Sequence, residues 1–340
     1  MPSLPRKKRL DLIRKYGHLA ISRAAAEDGL EHFVIEGKDG FIPYRVRSRI
    51  LIVPGEPVCS KEDAFEFFQS FKKFAKKKNQ HICFFGGNHR LHKEARKASY
   101  DIIKYGEEAV LDVEGFTING NKMLNVRRGL NRCKNVGVEI FEYEHDKSRD
   151  KDLEKQMLKV SKQWLSTKPT PELGFLMGKP EFHRPEGRRI FVATLKKKVQ
   201  GFLIINPMPA ANSWYADILR RGTKAPNGVA ESLTVHCLEV LKKEGASKLY
   251  YGMVPFVGID TKGKEHKRWN KLMHGLSTRV GFLYPIENEY FFKNKFRPSW
   301  EPVFMVNYPS ITAKIVYSII STFIPSGIPG LIKHKLGKGK

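Results

Sequence analysis

Acid is what this chain has too little of. Its 340 residues carry 61 lysines and arginines against 35 aspartates and glutamates, a formal charge of +26 at pH 7. The excess runs along the whole length rather than sitting in one tail. A field of that size attracts phosphates, in nucleic acid, anionic lipid or both, and works against compaction, which disfavours a merely inert basic surface. Cysteine is scarce too. Cys59, Cys83, Cys133 and Cys237 are the four present, none closely spaced, which excludes a disulfide framework or a zinc ribbon and fits a reducing, cytoplasmic setting. Cys83, His89 and His92 lack a fourth ligand at standard spacing, so no metal is expected. The basic start "MPSLPRKKRLDLIRKYG" has no apolar segment and is not a secretory signal. The uncharged run between Lys314 and Lys333 is broken by Pro325, Gly327, Pro329 and Gly330, so no membrane span is expected. A Gly-x-Ser-x-Gly nucleophile motif is also missing.

What is present reads as a duplicated α/β outline without repeated residue identity. In the first half, "EHFVIEGKDGFIPYRVRSRILIV" reads as strands joined by a tight turn at Lys38-Asp39-Gly40. A helix follows in "KEDAFEFFQSFKKFAKKK", with Phe65, Phe67, Phe68, Phe71 and Phe74 weighted to one face, and then the strand "HICFFGG". The second half repeats the order. "RRIFVATLKKKVQGFLIINP" is a strand pair around a lysine-rich turn, and "SWYADILRR" is a third strand. "GVAESLTVHCLEVLKKEG" is a helix stopped at Gly245, and "KLYYGMV" the next strand. Between the halves, a helix from about Asn119 to Asn135 carries Lys122, Arg127, Arg128, Arg132 and Lys134. No acid interrupts it from Asn119 to Val138, so no i,i+4 ion pairs are available and a phosphate-rich partner suits it.

Three blocks carry a likeness. "KYGEEAVLDVEGFTINGNKMLNVRRGLNRCKNVG", "APNGVAESLTVHCLEVLKKEGASKLYYGMVPFVG" and "YFFKNKFRPSWEPVFMV" together resemble the C-terminal catalytic domain of bacterial phosphatidylglycerol lysyltransferases, the multiple peptide resistance factors. "LIVPGEPV" resembles an earlier Gly-Asp-Pro turn of that family, with Glu56 in place of Asp. The likeness covers roughly residues 15 to 308. It implies two tandem GCN5-related N-acyltransferase-like domains, α/β in class, with mixed, mostly antiparallel sheets flanked by helices. It also implies transfer of an aminoacyl group from aminoacyl-tRNA to the hydroxyl of an anionic phospholipid. The partners are then aminoacyl-tRNA and an anionic membrane. The resulting domain expectation is 1–135 for a first unit ending in the basic helix, 136–308 for the catalytic unit, and 309–340 for a tail.

The residues give this chemistry a location. In ordinary acetyltransferases, a Gln/Arg-x-x-Gly-x-Gly/Ala loop cradles coenzyme A pyrophosphate on backbone N–H groups. Here the matching junction is "APNGVA", residues 225 to 230, and Ala225 replaces the cation or amide. No cofactor is therefore expected, although a plain helix start with Pro226, Asn227 and Gly228 as turn residues reads equally well. The family's Asp-x-x-Arg motif falls on Asp217 and Arg220, which the resemblance makes amino-acid-binding. A carboxylate is what a cationic aminoacyl group needs in a partly buried pocket, and a structural ion pair is the alternative. Strand alternation sends i and i+3 to opposite faces, so a shared pocket requires a bulge or a strand end there. Glu231, in the first turn of the next helix, is either a second carboxylate for the ammonium or a favourable charge at the helix dipole. His236 reads as packed rather than catalytic, and no general base is visible. Lys293, Lys295 and Arg297 alternate with aromatic rings and are expected to face phosphate, while the rings and Trp300 pack the last strand.

The tail supplies the final expectation. Ile311, Ile315, Val316, Ile319, Ile320, Phe323 and Ile324 recur at helical spacing ahead of the basic "KHKLGKGK". That pattern reads as a peripheral anchor on the inner face of the membrane, or as a last helix packed on the core. Two other functions remain open: a tRNA-dependent aminoacyltransferase with a peptide or other non-lipid acceptor, and a non-catalytic RNA- or membrane-binding protein.

Overall fold

The computed structural model describes residues 4–168, 180–183, 186–259, 269 and 286–323. After helix α1 (Arg6–Tyr16) and a 3-10 segment (Ala20–Ala26), the first half runs β1 (Glu31–Phe33), β2 (Gly40–Arg47), β3 (Ile50–Pro54), β4 (Val58–Cys59), α2 (Ala64–Lys77), β5 (His81–Gly87), α3 (His92–Lys97) and β6 (Asp101–Asp112). The basic helix is α4 (Leu124–Asn135). The second half runs β7 (Glu139–Glu142), α5 (Lys151–Ser166), β8 (Arg189–Leu195), β9 (Lys198–Met208), β10 (Ser213–Arg221), α6 (Val229–Lys243) and β11 (Lys248–Pro255). Helix α7 (Ile286–Asn294), strand β12 (Ser299–Tyr308) and helix α8 (Ala313–Phe323) complete the described chain.

Local chemistry accounts for most boundaries. Asp150 caps α5 by accepting the N–H groups of Asp152 and Leu153. Gly245 follows α6 at φ +75, a left-handed position that ends the helix. Two hairpins turn on non-glycine pairs held at positive φ, Ser48-Arg49 between β2 and β3 and Lys196-Lys197 between β8 and β9. The second was legible as a lysine-rich turn. The first was not, because neither residue is the asparagine, aspartate or glycine that this turn favours.

One sheet joins both halves, in the order β1-β2-β3-β5-β12-β6-β11-β10-β9-β8-β7. It is mostly antiparallel, with helices against its faces, and the α/β class expected from the sequence holds. Two parallel pairs stand out, β3 with β5 across α2 and β10 with β11 across α6. They are the duplicated outline seen in the sequence. The halves also trade strands: β12, from the end of the chain, lies between β5 and β6, and β6, from the first half, pairs β11.

Burial follows the periodic positions. Phe67, Phe68 and Phe71 on α2 are fully buried with Ile42, Leu51, Val53 and Phe84. Val229, Leu233 and Leu241 on α6 pack with Phe191, Leu203 and Leu249. The tail corrects an expectation. Ile311 and Ile315 are buried among Ile50, Ile52, Cys83 and Phe85, with Val316 and Ile319 against them. Ser318, Ser321 and Thr322, the polar residues between the apolar ones, are buried too. The apolar stripe of this helix is therefore core, not a membrane-facing surface. The basic end, from residue 324 onward, lies outside the described residues. Among the described residues no helix is long and apolar enough to cross a membrane.

Candidate active site

Strands β10 and β11 pair only from Ser213–Lys248 to Tyr215–Tyr250. Beyond that point β10 stays paired to β9 and β11 to β6, but no ladder joins them to each other. The sheet therefore opens between residues 216–221 on one side and 251–255 on the other. A β-bulge falls on β10 at the opening, where the register with β9 shifts between Ala216 and Ile218. The extra residue is Asp217. The insertion resets the alternation. Ala216 and Leu219, three apart, pack on one hydrophobic cluster, while Ile218 joins the cluster beneath α5. The same bulge shifts the alternation between Asp217 and Arg220.

Asp217 is only 7% exposed, and its Oδ2 accepts from Arg188 Nη2 at 3.4 Å. Arg188 Nε also donates to Asn206 Oδ1 at 3.0 Å. Burial raises the Asp217 carboxyl above its usual value. Arg188, a hydrogen bond from Asn206, Arg23 and Arg220 all oppose that shift. Arg23 arrives from the N-terminal 3-10 segment, and Arg23 and Arg6 share Glu186 at 2.6 Å each. Arg220 is buried, donates to Ser161 Oγ on α5 and lies over the Trp164 ring at 5.2 Å. Lys168 covers the same ring at 4.1 Å. Arg188, Arg23, Ser161, Trp164 and Lys168 escaped the sequence reading. They come from three separate segments, and no local spacing marks them.

The cations of the 289–297 stretch divide three ways. Its first part is helix α7 rather than strand. Lys293 is buried and donates to the carbonyls of Gly252 at 2.9 Å and Met253 at 3.3 Å, on the opened edge of β11, and pairs with Glu289 at 2.7 Å. It is a strut of the gap, so the expected phosphate contact does not apply to it. Lys295 pairs with Glu231 at 2.8 Å, so Glu231 has a cation of its own at the head of α6. Arg297 is exposed. The interleaved rings do pack inward: Phe292, Phe296 and Trp300 join the cluster of Tyr251, and Phe291 is left exposed.

On α4 the division is cleaner. Val126, Gly129 and Cys133 are buried, whereas Lys122, just before the helix, and Arg128 and Arg132 on it are exposed. None of these three cations has a carboxylate partner among the described residues. Arg127 turns back to cap the carbonyls of Ile118 and Gly120. The helix also lies across the loop at the start of α6. Gly228 sits at φ +109, and a Cβ there would stand 2.2 Å from the Gly129 carbonyl oxygen. Helix α4 therefore packs directly on the loop at the head of α6, and only glycine fits at 228.

The other candidates are packed away. His236 abuts the Phe191 ring, with centroids 6.0 Å apart. Cys83 is buried beside Phe85, and His89 and His92 stack edge-on with each other and with Phe304. Among the described residues no three metal-ligating side chains converge.

Comparison with known proteins adds a family. A family model described as phosphatidylglycerol lysyltransferase, C-terminal, matches residues 12–307. A phosphatidylglycerol lysyltransferase of Staphylococcus epidermidis is 25% identical over 304 residues, covering 87% of this chain and 35% of the relative. One from Bacillus subtilis is 23% identical over 282 residues, covering 82% and 32%. The chain thus spans about a third of the length of the curated relatives it matches. Two solved structures share the fold. L-PGS from Bacillus licheniformis has a TM-score of 0.78 at 22% identity, covering 93% of this chain and 95% of that one. The C-terminal domain of a putative lysylphosphatidylglycerol synthetase from Agrobacterium fabrum has a TM-score of 0.76 at 21% identity, covering 93% and 96%.

Proposed function

Because the chain belongs to the family of the phosphatidylglycerol lysyltransferase C-terminal domain, we propose that it moves an aminoacyl group, lysyl or one like it, from aminoacyl-tRNA to a hydroxyl of an anionic phospholipid such as phosphatidylglycerol. The work is done at the cytoplasmic face of the membrane. The observation that carries the reading is the opened β10/β11 pair with Asp217 bulged into it. A buried carboxylate is the kind of group that can receive a substrate ammonium as a charged hydrogen-bond acceptor, and Asp217 is held in place by Arg188. The unpaired N–H groups along the gap are donors for the oxyanion formed when the ester carbonyl is attacked. Aminoacyl esters are activated, so the protein needs to position them more than to energise them.

The donor and membrane assignments rest on charge and on the loop before α6. Lys122, Arg128, Arg132 and Arg297 are exposed cations suited to phosphates of the tRNA acceptor end or of lipid head groups. Ala225 stands where an acyl-coenzyme A loop carries a cation or amide, which favours a tRNA donor. With the apolar stripe of α8 buried, peripheral attachment falls to the cationic surface, worth about 1 kcal/mol per lysine or arginine near an anionic bilayer.

The test is transfer from charged tRNA to vesicles containing phosphatidylglycerol, followed by mass spectrometry of the lipid. Aminoacylated lipid, with acetyl-coenzyme A neither bound nor used, is the expected result. Saturable acetyl-coenzyme A binding with tRNA ignored overturns the donor assignment. Transfer to an added peptide but to no lipid overturns the acceptor.

A further inference from the structure

A second group of ionisable side chains stands beside the gap. Glu108, on β6, is the register partner of both Met253 on β11 and Glu301 on β12. Met253 belongs to the stretch of β11 that β10 no longer pairs, so Glu108 is one strand from the opening. Its side chain lines a cavity with Tyr250, Glu301, Asn88 and Gly87. Tyr250 is also the last residue of β11 paired with β10, so cavity and gap share a wall.

The groups facing Glu108 are few. Lys293 from α7 favours its charged form and Glu301 from β12 opposes it. Tyr250 from β11 lies close enough to feel both carboxylates. Glu301 is tied to Lys248 at 2.9 Å, and Lys293 to Gly252, Met253 and Glu289. Among the described residues no side chain donates a hydrogen bond to Glu108, whereas Asp217 is bound to Arg188. Of Asp217 and Glu108, Glu108 is the one with no side-chain donor among the described residues, and its cavity of about 10 Å³ has room for one hydroxyl-sized group.

We propose that Glu108 is the general base of the transfer, acting on an acceptor hydroxyl that enters the cavity beside the β10/β11 gap. The step balances without a further reactant. Glu108 takes the hydroxyl proton as that oxygen bonds to the aminoacyl carbonyl carbon. The bond from this carbon to the ribose oxygen then breaks, and Glu108 returns the proton to the departing ribose oxygen. One group serves both halves because each exchanges one alcohol oxygen for another. Burial pushes the carboxyl up to about 8, which makes it a stronger base but leaves only about a tenth of it ionised at pH 7, so the rate depends on pH.

This inference rests on the transferase reading, and the experiment separates the two. Full-length Glu108→Gln, compared with wild type on charged tRNA and phosphatidylglycerol vesicles, should lose about a hundredfold or more in kcat. KM and melting temperature should stay close to wild type. The wild-type rate should rise with pH through an inflection near 8 and level off above it, and Glu108→Asp should keep part of the activity with a moved inflection. A Glu108→Gln protein as fast as wild type overturns the proposal, as does a wild-type rate flat with pH across that range. If Glu108→Gln does not fold, the wild-type profile and Glu108→Asp decide. No transfer by wild type to any acceptor overturns the transferase reading and this proposal with it. Transfer lost in Asp217→Asn but intact in Glu108→Gln overturns this proposal alone.

Discussion

The arm made of β3, α2 and β5 and the arm made of β10, α6 and β11 are built alike, each a parallel strand pair with its crossover helix packed behind. They differ in how far they are zipped. Ile50 to Pro54 pair with His81 to Phe85 along the whole of β3, and Gly55 continues the ladder onto the Phe85 carbonyl at 2.7 Å. Each β3 residue from Ile50 to Pro54 is buried. In the second arm the ladder stops at Tyr215, a bulge follows, and charged residues appear where the first arm has only apolar ones. A ladder persists where apolar side chains cover both faces. It stops where a bulge brings in a carboxylate and arginines. One topology thus supplies a rigid frame in one half and an opening in the other.

The contrast breaks first at the frame. Phe71→Ala removes a fully buried ring that meets Phe33 at 5.3 Å, Tyr44 at 5.5 Å and Phe84 at 5.9 Å. It should cost about 3–5 kcal/mol in denaturant unfolding, with transfer per folded molecule unchanged. A selective loss of activity in this variant would mean that the first arm takes part in the chemistry.

At the opening the order of effects reverses. Asp217→Asn should leave the melting temperature close to wild type and slow transfer by about thirty- to a thousandfold, the equivalent of about 2–4 kcal/mol. Unchanged transfer would assign Asp217 to the structure alone.

A third effect is titratable. Glu56, at the end of the closed arm, accepts from Asn88 N at 3.1 Å, and burial pushes its carboxyl from 4.5 up to about 7. The folded state then holds its proton more tightly than the unfolded chain. The stability this confers is full below about pH 4.5 and declines as pH rises toward 7, by up to about 3 kcal/mol. Glu56→Gln should flatten that slope in unfolding measured from acid to neutral pH. A wild-type slope that persists in the variant would place its origin elsewhere.

The smallest change expected is on α4. Arg128→Gln and Arg132→Gln should each weaken tRNA binding modestly and reduce the salt dependence by about one unit of slope. Neither should alter stability, because both side chains are exposed.

The sequence by itself determined a good deal. Hydrophobic spacing gave the α2 and α6 helices and the strands around them, because burying one face demands a fixed period. The charge of +26 and the acid-free run through α4 pointed to phosphate, and Asp217 and Arg220 were named in advance. Tertiary structure alone decided the rest. Local pattern cannot say which strands exchange between halves, so the insertion of β12 between β5 and β6 was invisible. Nor can it say whether a cation is exposed or used internally. Lys293 ended on the carbonyls of Gly252 and Met253, Lys295 on Glu231, and Arg297 in solvent, although all three look alike in sequence. The tail stripe at Ile311 and Ile315 was equally ambiguous, since an apolar helix face fits a membrane and a core alike. The partners of Asp217 and the cavity at Glu108 draw on segments far apart in the chain, and folding is what brings them together.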